Sequence, residues 1–123
     1  MPTLLIVDDS RLSRMMIKTR VNTLRPDWTV IEAGTGLDGL DLVSQHQPDF
    51  ITMDVNMPGI SGFEAVERVR ATGSQARVVI LTANIQESSR DRAQALGVRF
   101  LHKPVTDTCV QQALDYFEGQ TTS

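Results

Sequence analysis

Three aspartates and a lysine stand where short apolar runs stop. Leu4-Leu5-Ile6-Val7 stops at Asp8-Asp9, Phe50-Ile51-Thr52-Met53 at Asp54, and Phe100-Leu101-His102 at Lys103-Pro104. Crowded carboxylates raise one another's proton affinity unless a cation compensates. Asp8, Asp9 and Asp54 are hard oxygen ligands, and such a set suits Mg²⁺, which takes few protein ligands and keeps waters and substrate phosphate. Mn²⁺ is the natural substitute in an oxygen site; calcium wants more protein oxygens than this cluster offers. A carboxylate beside such a cation and an ammonium can attack a phosphoryl group and form an aspartyl phosphate. Lys103 is expected to hold one phosphoryl oxygen as a compact point charge, and Thr82, ending a fourth apolar run, to donate its hydroxyl to another.

Each residue taken alone has a plainer reading. A single Asp at a strand end is commonly a turn residue or a helix cap, Asp9 included, and a single Lys is commonly solvated. What favours the chemical reading is that four separate strand ends each supply a suitable group.

The elements that must position these groups follow from periodicity. Apolar runs bounded by charge read as buried strands, expected over 3–7, 29–33, 49–53, 77–82 and 99–101. Helical patterns lie between them: Leu37, Leu40 and Val43 share a face, as do Phe63, Val66 and Val69, and Val110, Ala113, Leu114 and Phe117. Ser10, Ser61 and Thr106 are expected N-caps. The fourth helix, around 86–96, has only Ala93 and Leu96 as apolar anchors, and Gly97 fits its C-terminal cap. Five alternating strand–helix units predict an α/β fold, a parallel sheet with helices on both faces. In such a sheet ligands bind at the carboxyl ends of the strands, where all four candidate groups fall. The tail, 118–123, is expected to fray.

With 123 residues, 41% hydrophobic and 22% charged, the chain suits a single globular domain over 1–123 with a core of its own. A net charge of -3 and a pI near 5.2 give no electrostatic footprint for nucleic acid. Cys109 is the one cysteine, which excludes an internal disulfide and a cysteine-rich zinc site. No apolar stretch is long enough for a membrane span and no leader pattern opens the chain, so a cytoplasmic location is expected.

Two further motifs look like sites. Gly34-Thr35-Gly36-Leu37-Asp38-Gly39 fits G-x-G-x-x-G but follows the second strand, in a chain too short for two nucleotide-binding halves. The glycines are expected instead to allow a tight turn. Asp54-Val55-Asn56-Met57-Pro58-Gly59 hints at a calcium loop, but Pro58 and Ala65 fall where ligands are required.

Asp8-Asp9, Asp54, Thr82-Ala83 and Lys103-Pro104, together with the run Met53-Asp54-Val55-Asn56-Met57-Pro58-Gly59-Ile60-Ser61-Gly62, resemble the receiver domain of bacterial response regulators over essentially the whole chain. The resemblance implies a flavodoxin-like doubly wound sheet of order 2-1-3-4-5. It implies phosphoryl transfer from a sensor histidine kinase, or a histidine phosphotransfer protein, to Asp54. Mg²⁺ would be held by Asp9, Asp54 and the carbonyl of Asn56, with Asp8 helping directly or through water. The Lys103–Pro104 bond would be cis. Thr82 and Phe100 would form the switch, and Asn84 with Asn56 would tune the phosphoryl lifetime. A downstream protein would dock on the fourth helix, fifth strand and fifth helix, where Gln86, Arg90, Gln94 and Arg99 are candidate contacts. With no output domain expected, the chain would signal by docking, with chemotaxis the leading pathway and another phosphorelay the alternative. Two rivals remain. A haloacid dehalogenase-type phosphatase wants an acid where Asn56 stands and a substrate cap. A phosphorylation-independent receiver should lack Asp9, Asp54 or Lys103, and none is missing.

Overall fold

The computed structural model describes residues 2–83 and 87–119, without the side chains of 87–89. The elements in chain order are β1 (Thr3–Val7), α1 (Arg11–Leu24), β2 (Thr29–Ala33), α2 (Gly36–His46), β3 (Phe50–Asp54), α3 (Gly62–Ala71), β4 (Arg77–Thr82), α4 (Glu87–Leu96), β5 (Arg99–His102) and α5 (Asp107–Phe117). The strands form one five-stranded sheet, β2-β1-β3-β4-β5, with every pairing parallel. This is the doubly wound order the resemblance implies. The third and fifth strands each run one residue beyond the predicted end, so Asp54 belongs to β3 itself.

Side chains alternate across a strand, and the core divides accordingly. Leu5, Val7, Ile51, Met53, Val78 and Ile80 pack with α2, α3 and α4 on one face. Leu4, Ile6, Val79, Leu81 and Leu101 pack with Ile17 and Val21 of α1 and with Val110, Leu114 and Phe117 of α5 on the other. The central strands are buried on both faces, which is why they read as continuous apolar runs.

Ser10, Ser61 and Thr106 are N-caps, their hydroxyls accepting from the amides of Ser13, Glu64 and Cys109. Thr35 caps α2 in the same way. Gly97 ends α4 with φ +68°, and the amide of Val98 returns to the carbonyl of Ala93. Thin anchoring of α4 is also evident: Ala93 is buried, and Leu96 packs on the core from a half-buried position.

Three expectations need correction. Leu37 does not share the inward face with Val43; it is 52% exposed, because the buried face of α2 runs through Gly36, Gly39 and Val43. Gly36 and Gly39 do not serve a turn: both lie within α2 and neither has positive φ. They serve close packing: a Cβ on Gly39 would lie 2.9 Å from Val7 Cγ2, and one on Gly36 would lie 2.6 Å from Ile60 Cγ1. Glu118 is not frayed. It is the C-cap of α5 and pairs with Arg25 at 2.5 Å; the rest of the expected frayed tail, from 120 on, lies outside the described residues. Among the described residues no helix is long and apolar enough to cross a membrane.

Candidate functional site

β1 and β3 run side by side with Val7 opposite Met53, so the residues that follow this pair, Asp8 and Asp54, emerge together. Asp8 is 1% exposed and Asp54 5% exposed, whereas Asp9 is open to solvent. All three still offer a carboxylate oxygen within 4.8 Å of the others. From the far side of the sheet edge Lys103 reaches in. Its Nζ lies 2.8 Å from Asp8 Oδ2 and 3.6 Å from Asp54 Oδ1, and the Lys103–Pro104 peptide bond is cis. The Lys103 amide donates to the carbonyl of Thr82 at 2.7 Å, tying the β5–α5 turn to the end of β4.

The electrostatics follow from this crowding. Burial, then the Asp8 charge, push the Asp54 carboxyl up from 3.8 to about 6; Lys103 pulls the other way, and Asp9 adds to the rise. Burial works against the Lys103 charge, but Asp8 and Asp54 together outweigh it and raise its proton affinity. The site therefore gathers three acidic side chains around one lysine, with Asp9 open to solvent.

Thr82 is buried and pairs with His102, two positions beyond the Ile80–Phe100 pair. Thr82, Ile80 and Phe100 accordingly share the face covered by α4, and Phe100 packs half-buried against that core. Asn56 is exposed in the β3–α3 loop. Arg90, Gln94 and Arg99 are exposed; Gln86 and Asn84 lie outside the described residues.

Two contributors have no signal in the spacing of charged residues. Gly62 opens α3 directly against the backbone of the acceptor: a Cβ there would lie 2.2 Å from the carbonyl oxygen of Asp54, and its amide donates to the carbonyl of Val55 at 3.0 Å. Arg14, on α1, donates from Nη1 to the carbonyl of Asp8 at 2.6 Å. Beside the site α1 presents Leu12, Met15 and Met16, at 61%, 56% and 42% exposure. Leu12 and Met16 line an open groove of about 410 Å³ with Lys103, Pro104 and Val105.

Comparison with known proteins settles the family. The family model described as "Response regulator receiver domain" matches residues 4–115. The chain belongs to the response regulator receiver family. Among curated relatives of this receiver domain, the chemotaxis protein CheY of Bacillus subtilis is 34% identical over 113 residues, 91% of this chain and 93% of CheY. The sensor protein EvgS of Escherichia coli is 36% identical over 105 residues, 85% of this chain but 9% of EvgS. The receiver domain thus spans under a tenth of some relatives and nearly all of another. In structure it resembles the chemotaxis protein CheY4 of Vibrio cholerae, with a TM-score of 0.86 at 28% identity over 95% of this chain and 98% of that one. Two-component signalling is therefore its setting.

Proposed function

We propose that this receiver domain is a phosphorylation switch with Asp54 as the phosphoacceptor. One observation carries the reading: a buried carboxylate at the end of β3, lifted to a pKa of about 6, lies between an ammonium at 3.6 Å and two further carboxylates within 4.8 Å. At cytoplasmic pH Asp54 is ionised and nucleophilic. One of its oxygens attacks the phosphorus of a phosphohistidine whose other ring nitrogen carries a proton, the P–N bond breaks, and the electron pair stays on the departing nitrogen, giving an acyl phosphate and a neutral histidine. Lys103 follows the charge onto a phosphoryl oxygen, its Nζ already positioned by Asp8.

The donor set fits Mg²⁺, with Mn²⁺ as substitute. It offers only oxygens, its charge is uncompensated, and it is too small to satisfy calcium. Asp9, Asp54 and the Asn56 carbonyl would hold the ion, with Asp8 helping directly or through water. When bound it neutralises the phosphoryl oxygens and leaves the nucleophile unprotonated.

Phosphorylation adds close to two negative charges at the sheet edge. The Thr82 hydroxyl then has a phosphoryl oxygen to bond, an acceptor that exists only in the phosphorylated state, so the contact biases one of two conformations. Phe100 moves inward behind it, and the α4–β5–α5 surface changes its affinity for a partner. The thin apolar anchoring of α4 supports it as the element that shifts. The phosphodonor is a sensor histidine kinase or a histidine phosphotransfer protein, and the exposed apolar side chains of α1 beside Lys103 support a protein donor. Near-complete coverage of a chemotaxis relative favours a chemotaxis role in the cytoplasm, with another phosphorelay as the alternative. No steady turnover of phosphate esters is expected, because Asn56 is a poor proton donor where a phosphatase of the haloacid dehalogenase type has an acid.

The test is intact mass after incubation with acetyl phosphate and Mg²⁺, beside an Asp54→Asn variant and a metal-free control. Gain of one phosphoryl group, dependent on both, is expected. No gain from acetyl phosphate or from a phosphorylated histidine kinase would leave a docking module that works without phosphorylation.

A further inference from the structure

Asp8 is tied down from every side. Its amide donates to the carbonyl of Ala33 in β2 at 3.1 Å. Its Oδ1 accepts from the amide of Ser10 at 2.8 Å, and its Oδ2 meets Lys103. The remaining group is its carbonyl, just past the end of β1. That carbonyl accepts from Arg14 Nη1 at 2.6 Å, across six positions of chain.

Arg14 does not reach Asp8 as a loose surface cation. Its side chain is 19% exposed, and its Nε lies 3.4 Å from Glu32 Oε1 in β2. The other oxygen of Glu32 lies 3.4 Å from Lys18 Nζ, one turn further along α1. A guanidinium fork is planar and rigid, so fixing one nitrogen on Glu32 aims another. The chain of contacts Lys18–Glu32–Arg14–Asp8 thus runs from α1 through the edge strand to the turn that carries Asp8 and Asp9.

We infer that Arg14, aimed by Glu32, is a positioning residue for the acidic turn and sets the affinity of the site for its divalent cation. The inference rests on the Mg²⁺ reading given above. Its physical content has a distinctive sign. Arg14 is a cation near a cation site, so on charge alone its removal should strengthen Mg²⁺ binding. Positioning demands the opposite: without the fork the Asp8 carbonyl loses its donor, the turn gains freedom, and that freedom must be given up when the ion binds. Partners that orient metal ligands from behind are worth roughly 10–100-fold in metal affinity.

The decisive experiment is Mg²⁺ titration by calorimetry on the full chain in four forms: unaltered, Arg14→Met, Arg14→Lys and Arg11→Met. Arg11 is an exposed cation on the same helix and serves as the charge control. Amide hydrogen exchange at Asp8 and Ser10 is followed without metal in the same proteins. Arg14→Met should bind Mg²⁺ about tenfold more weakly, with faster exchange at both amides. Arg14→Lys, which keeps charge and reach but loses the fork, should fall between, and Arg11→Met should bind as tightly as the unaltered chain or slightly more so. Mg²⁺ binding by Arg14→Met that equals or exceeds the unaltered chain overturns the inference. If the unaltered chain binds no Mg²⁺, the metal reading itself fails, and with it the affinity role. The exchange rates then still decide whether Arg14 holds the turn, and unchanged rates would remove the positioning role as well.

Discussion

Asp54→Asn should make this protein more stable at neutral pH in the absence of divalent cations. The carboxyl is 5% exposed and its pKa stands at about 6 instead of 3.8. At 1.36 kcal/mol per pH unit, holding it ionised in the fold at pH 7 is unfavourable by at most about 3 kcal/mol. Asp8 and Asp54 share Lys103, and the substitution would leave Lys103 with Asp8 alone, so a gain of roughly 1–2 kcal/mol is the expectation. The sign has a pH signature. A carboxyl whose folded pKa is raised binds its proton more tightly folded than unfolded, so the unfavourable contribution is full above pH 6 and vanishes below about 3.8. Urea unfolding in the presence of a chelator, at about pH 7.5 and about pH 4, would show the stability gain of the variant at the first and little at the second. Adding Mg²⁺ should then stabilise the unaltered protein more than the variant, because the ion offsets the repulsion that the variant lacks. A loss of stability at neutral pH, or a gain of the same size at both pH values, would refute the account of the site as an electrostatically strained cluster.

Three further outcomes are expected. Thr52 sits in the middle of β3, 2% exposed, against apolar residues of α1 and α5, and its hydroxyl has no hydrogen-bond partner among the described residues. Thr52→Val should therefore stabilise by about 1 kcal/mol, and destabilisation in thermal unfolding would contradict it. Gly62→Ala must displace backbone, because its Cβ meets the Asp54 carbonyl at 2.2 Å; a loss of about 3 kcal/mol and slower phosphorylation are expected, while an unchanged melting temperature would show that α3 yields freely. Thr82→Ala should keep phosphorylation by acetyl phosphate but lose phosphorylation-dependent partner binding; unchanged partner affinity would remove Thr82 from the switch.

Much of the fold was legible because its signals are local. Strands buried on both faces must be apolar throughout, so β1, β3 and β4 stood out. Ser10, Ser61 and Thr106 announced helix starts because a cap hydroxyl bonds an amide three residues on, within reach of sequence reasoning. The weaker reading of α4 has a physical counterpart in Ala93, its one fully buried apolar anchor among the described residues. Leu37 misled because apolar spacing passes over glycine, and the buried face of α2 begins with Gly36 and Gly39.

The sequence by itself determined that acidic groups and a lysine gather at one sheet edge, since strand ends in a parallel sheet all point the same way. Tertiary structure alone decided how they meet. Lys103 lies nearer Asp8 than Asp54, a preference set by packing between residues 95 positions apart. Gly36 and Gly39 read as part of a nucleotide motif or a turn, and only the approach of Ile60 and Val7 revealed them as close-packing positions. Gly62 against the Asp54 carbonyl and Arg14 against the Asp8 carbonyl belong to the same class. Both act on backbone atoms, which every residue carries alike, so no choice of side chain at Asp8 or Asp54 could have signalled them.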